Sequence, residues 1–68
     1  MKYDKTKYAG KMIQLYPGDS DSKFGVIVDV DDLGWTVGIT KSNDKLGSFE
    51  AGKEYFISHS KPFTFKFM

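Results

Sequence analysis

Three groups of side chains in this sequence could do chemistry: clustered aspartates, a single histidine, and lysines interleaved with tyrosines. Asp29, Asp31 and Asp32 crowd one short stretch. Paired carboxylates do general acid–base work when burial drives their pKa values apart. On an exposed turn both would simply be ionised and solvated. The expectation is therefore an acidic contact surface or a plain soluble face, not a catalytic pair. Asp19-Ser20-Asp21 resembles the opening of a calcium loop, but a ligand and a glycine should follow where Lys23 and Phe24 stand. The loop's final glutamate is replaced by Val30. A solvated turn is expected. His59 is the only histidine and cysteine is absent, so neither an all-histidine nor a thiolate metal site can form. No serine stands at a spacing that marks a nucleophile. We expect no catalytic residue, no metal and no cofactor.

Lys2-Tyr3-Asp4-Lys5-Thr6-Lys7-Tyr8 alternates basic and aromatic residues, and Lys11 follows closely. Lysines can track a phosphate backbone while tyrosines stack on bases. Lys2, Tyr3, Lys5, Lys7, Tyr8 and Lys11 are therefore the candidate nucleic-acid contacts. The competing expectation is a solubilising arm whose tyrosines pack on the rim of the domain.

The elements that must position these groups are few. Sixty-eight residues make one domain, and such a chain buries only about 60% of the surface it exposes unfolded. Hydrophobic residues make up 40% and aromatic residues 16%, enough for a core but with no disulfide to assist it. The missing cysteines fit a reducing compartment. Net charge is +1, which excludes a strong global attraction to nucleic acid or an anionic membrane. All ten basic residues are lysine, so the planar fork that reads guanine or clamps a carboxylate is missing. Lysine, phenylalanine, tyrosine and isoleucine together suit an AT-rich genome, such as many tailed phages carry. No apolar run is long enough to span a bilayer, and no signal-peptide pattern follows Met1. The expected setting is cytoplasmic, in the host if the chain is phage-encoded.

Along the chain, residues 1–10 read as a basic, flexible or loosely docked arm and residues 11–68 as the single β domain. Ile13 and Leu15 alternate with Met12, Gln14 and Tyr16, as in a strand. Pro17-Gly18 ends it, and Asp19-Ser20-Asp21-Ser22 is a polar loop. Residues 24–30 form the strongest strand, and residues 31–34 turn the chain into a return strand with Trp35, Val37 and Ile39 on one face. A turn over residues 42–45 leads to a weaker strand over 46–50. A further strand covers 54–58, and after the turn at 59–62 Phe63, Phe65 and Phe67 alternate to the end. No window has the period of an amphipathic helix. Five or six short strands at this spacing imply a small barrel or a highly twisted sheet, and closure is expected because a flat sheet would leave long edges and a wet apolar face.

The pattern resembles the KOW-type motif of SH3-like barrels, known from ribosomal proteins and NusG-like transcription factors. The matching residues are Gly10, Ile13 and Leu15, then Gly18, then Gly25-Val26-Ile27 with Val30, followed by Val37 and Ile39. About half the chain is covered, and the motif is short. The loop of that family is usually basic and glycine-rich, whereas here it reads Asp19-Ser20-Asp21-Ser22-Lys23, so RNA contact is not expected through it. The resemblance implies that Ile27 turns inward. Plain alternation instead puts Phe24, Val26, Val28 and Val30 inward, with Ile27, Gly25 and Gly38 outward. One slip or bulge reverses every later side chain, so the two readings exclude each other. Plain alternation is expected, since it buries four residues against one.

The resulting expectation is an all-β, small SH3-like barrel of five to six short antiparallel strands. Its core would hold Val26, Val28, Val30, Trp35, Val37, Ile39, Tyr55, Ile57, Phe63, Phe65 and Phe67, with the last strand covering Ile13 and Leu15. The expected function is a non-enzymatic protein-binding module, an accessory or inhibitory factor, with Asp29, Asp31, Asp32, Ile27, Gly25 and Gly38 as candidate contacts. Weak nucleic-acid association through the arm and a self-associating structural subunit are the alternatives. A monomer is expected ahead of a dimer, and no membrane is involved.

Overall fold

Alternating apolar and polar side chains produce five strands. The computed structural model describes residues 4–43 and 47–68. It contains β1 (Met12–Leu15), β2 (Lys23–Val30), β3 (Gly34–Ser42), β4 (Glu54–Ser58) and β5 (Phe65–Phe67). All pair antiparallel in the order β4-β3-β2-β1-β5. The last strand lies on the first, with Ile13 opposite Phe67 and Leu15 opposite Phe65. The strand expected over 46–50 is absent from residues 47–50. Leu46, and Asp44-Lys45 of the preceding turn, lie outside the described residues, as do Lys2 and Tyr3 of the arm.

The only helix among the described residues is one turn, α1 (Lys5–Tyr8). Asp4 caps it, its carboxylate accepting from the Thr6 amide at 3.0 Å and the Thr6 hydroxyl at 2.7 Å. Such a side chain satisfies an amide the helix cannot, which lets so short a turn persist. Of the flexible or loosely docked arm expected over residues 1–10, the described part is docked. It lies beside the half of β2 that β1 does not reach. There the Gly10 amide donates to the Ile27 carbonyl and the Ile27 amide to the Lys11 carbonyl.

The core is Ile13, Leu15, Ile27, Val30, Trp35, Val37, Ile39 and Ile57. Its composition corrects the expected register of β2. Ile27 is fully buried, Val28 is 44% exposed and Val26 is only half-buried. Two bulges produce this. Thr40 is the extra residue on β3 opposite the Phe24/Gly25 step, and Val28 is the extra residue on β2 between Ile27 and Asp29. The second bulge returns Val30 to the inside, so Ile27 and Val30 are both buried. Thr40 secures the first bulge by donating its hydroxyl to the Phe24 carbonyl at 3.2 Å.

The expected hydrogen-bonded closure is also corrected: β4 and β5 are the two ends of the strand order, with no ladder between them. Aromatic rings fill the inner hollow instead. Trp35 meets Tyr8 and Phe65 edge-on, each at 5.2 Å between centroids, and Phe63 at 6.0 Å. Offset and edge-on ring pairs add roughly 0.5–1.5 kcal/mol each beyond their buried area. Tyr55, Phe63 and Phe65 pack against the core while only partly buried, and Phe67 is 49% exposed.

The register makes a direct prediction. Ile27→Ala should cost about 2–5 kcal/mol, a large part of the roughly 3–10 kcal/mol available to a chain this long. Val28→Ala should cost less than about 1 kcal/mol. Urea unfolding of both variants checks the order, and the reverse order would contradict the bulge.

Candidate functional site

The acidic hairpin is mostly committed to the fold. The Asp31 carboxylate accepts from the Leu33 amide at 2.8 Å and the Gly34 amide at 3.0 Å, closing the turn between β2 and β3. These amides, the Leu33 one foremost, hold its pKa below the ordinary carboxylate value of 3.8. Asp29 accepts from the Val30 amide at 2.9 Å and pairs with Lys5 at 3.1 Å. Asp32 is exposed. His59 pins the same turn from the far side. Its Nε2 lies 2.7 Å from the Asp31 carbonyl, which can only accept, so Nε2 carries the proton. The His59 amide donates to the Leu33 carbonyl, and its ring meets Trp35 edge-on at 5.6 Å. His59 therefore ties two turns together.

The glycines and Ile27 do not form an outward contact surface. Ile27 is buried, so its side chain meets the core and no partner. Gly25 faces inward, and a Cβ there would stand 2.5 Å from the Gly38 carbonyl oxygen. The close approach that excludes a side chain is that of the neighbouring strand at the first bulge, within the chain itself. Gly38 does lie on the outer face, where a Cβ would make ordinary contact with Val28 and Glu54.

The basic arm is divided among several tasks. Lys5 is paired with Asp29, and Tyr8 is half-buried between Trp35, Phe65 and Phe67. Lys7 and Lys11 remain, and neither makes an ion pair within the described residues. With Met12, Phe67 and Met68 they line a groove of about 320 Å³. Lysine and half-exposed apolar surface are thus combined at one end of β1 and β5.

The register of β2 also creates a surface that sequence reasoning missed. Across the outer face run Met68, Met12, Val26, Gly38 and Glu54, joined by successive cross-strand pairings. Val28 stands beside Gly38, and Phe56 leans over Gly34. Met12, Val28 and Phe56 are 53%, 44% and 55% exposed. Among the described residues no helix or strand lies over this face. A second missed residue is Lys23, which is 6% exposed and reaches out of the core to the Asp19 carboxylate at 3.2 Å. The Asp19–Ser22 loop is therefore anchored through Asp19. Tyr16 shares this corner, and its pKa is raised, first by burial and then by the Asp19 charge.

Among the described residues no three His, Cys, Asp or Glu side chains gather as a metal ligand set would. No helix there is long and apolar enough to cross a membrane. In comparison with known proteins, the chain matches no family model, no curated protein and no solved structure.

The Asp31 turn predicts a pH dependence. Its folded pKa lies below the unfolded value, so its stabilisation is complete above about 4 and is lost as pH falls through the folded pKa. Asp4 shifts in the same direction through its bonds to Thr6. Urea midpoints should fall between pH 7 and pH 3, and Asp31→Asn, which keeps the acceptor oxygen, should fall less. Equal falls in both proteins would contradict this role for Asp31.

Proposed function

We propose that this chain is a non-enzymatic protein-binding module, an accessory or inhibitory factor, that meets its partner with the outer face of the sheet. The observation that carries this reading is the apolar row of Met12, Val26 and Val28, uncovered among the described residues, with Phe56 farther along the same face over Gly34. Contiguous apolar surface rimmed by polar residues is characteristic of interaction sites. Gln14, Lys66, Lys41 and Glu54 supply that rim by register. The acidic hairpin is the weaker candidate, because Asp29 and Asp31 are already engaged.

The inward Ile27 and the pairing of the last strand with the first support a relation to SH3-like barrels, here opened between β4 and β5. The lysine-only composition supports an AT-rich, phage-type origin and action in the host cytoplasm. Nucleic-acid association keeps one supporting observation, the nearness of Lys7 and Lys11 to half-exposed Phe67.

The test is capture of partners from the native cell by tagged protein, with and without nuclease. Capture should survive nuclease and be lost in the Val28→Lys/Phe56→Lys double variant. Exposed substitutions such as these should each change stability by no more than about 0.5 kcal/mol. Nuclease-sensitive capture, or capture unaffected by the double variant, would contradict the reading.

A further inference from the structure

The backbone of β5 carries an inference that rests on the protein-binding reading and names how part of the partner is held. In an antiparallel pair, residues that exchange hydrogen bonds alternate with residues whose amide and carbonyl point away. The Met68 amide donates to the Met12 carbonyl, and the Tyr16 amide to the Thr64 carbonyl. The pairs at 12/68 and 16/64 are thus the bonded kind, and Phe65 and Phe67, opposite Leu15 and Ile13, are the other kind. Their amides and carbonyls face away from β1. Among the described residues no hydrogen bond reaches these groups, and β5 is paired with no strand except β1; its rings meet Tyr8 and Trp35 on the inner face, not along the edge. An edge of this type is a template for another strand.

The surroundings select the strand. Lys7 and Lys11 line the groove at the end of this edge, and Lys66 lies on β5 itself. None of the three makes an ion pair within the described residues. A second copy of the chain added edge to edge around a two-fold axis at the middle of β5 would set Lys66 directly opposite Lys66. Like charges so placed are destabilising, which disfavours self-pairing. A nucleic acid could satisfy the lysines, but its acceptor-rich phosphates cannot use the outward carbonyls of Phe65 and Phe67. A peptide backbone offers both donors and acceptors at strand spacing. Met12, Met68 and Phe67 give its side chains a soft apolar seat, methionine being adaptable in shape.

We propose that the free edge of β5 receives an extended acidic segment of the partner protein. Phe65 and Phe67 extend the ladder, Lys7 and Lys11 hold the acidic side chains, and the Met12–Phe67–Met68 groove takes an apolar one. Strand addition of this form draws affinity from the main chain and selectivity from alternate side chains.

The experiment uses three probes on the full chain: a short peptide alternating glutamate with valine, its lysine-for-glutamate counterpart, and a single-stranded oligothymidine of similar length. The acidic peptide should bind and slow hydrogen exchange at the Phe65 and Phe67 amides. Lys7→Glu/Lys11→Glu should weaken it by about tenfold or more, equivalent to about 1.4 kcal/mol. N-methylation of Phe67, introduced by chemical synthesis, should abolish binding while leaving the urea midpoint in place, because that amide does not face β1. Three results would overturn the proposal: tighter binding of the oligothymidine, equal binding of the two peptides, or a dimer that N-methylation dissolves. Failure of the acidic peptide while the outer face still captures a protein would overturn edge docking alone. Loss of nuclease-resistant capture, with the peptide still bound, would instead count against the outer-face reading.

Discussion

Joint burial of Ile27 and Val30 depends on the bulge at Val28, and most of the molecule follows from that one irregularity. A strand has a period of two, so the side chain after Ile27 must point outward and Val30 would follow it. The extra residue inserted at Val28 turns Val30 back to the core beside Trp35. The cost falls at the other end of the strand, where the same register turns Lys23 inward. A lysine can bear this because its stem covers apolar surface while its ammonium reaches outward. Asp19 receives it there, and the Tyr16 ring lies under it at 5.8 Å. The register thus fixes the core, the position of the loop and the apolar outer face together.

Aromatic packing is the second constraint. A chain of this length has few aliphatic residues with which to fill the inside of a curled sheet. Trp35 holds the centre, with Tyr8 entering from the N-terminal turn and Phe63 and Phe65 from the C-terminal segment. Because rings rather than a fifth ladder cover the hollow, β4 and β5 each have one edge unpaired among the described residues. Tyr8, Phe63 and Phe65 are therefore structural, and among the described residues the edge of β5 is unpaired beside Lys7 and Lys11, which make no ion pair.

Much of this was legible from residue order alone. Alternation located β1 to β4, and the phenylalanines at 65 and 67 located β5 and its docking on Ile13 and Leu15. The register of β2 was not legible, because Ile27 and Val28 are chemically alike and a bulge leaves no compositional mark. Lys23 even argued for the opposite register, since its partner Asp19 acts through the fold of the loop. Gly25 was expected outward as a partner contact; it faces inward instead, and the backbone that comes close to it is that of β3. The strand expected over 46–50 rested on few apolar residues, and residues 47–50 run instead as bends that bring Phe49 against Tyr16 and Tyr55. Among the candidate nucleic-acid contacts, Tyr8 packs against Trp35, Phe65 and Phe67 of the same chain.

The central claim is that the outer face of the sheet carries the apolar row left uncovered by the described residues, with Ile27 inside and Val28 outside. Paramagnetic relaxation from a soluble, uncharged nitroxide reads side-chain exposure directly by NMR. The account predicts strong broadening of the Met12 and Val28 methyls and the Phe56 ring, with the methyls of Ile13, Ile27 and Val37 protected. Broadening of Ile27 with protection of Val28 would contradict it.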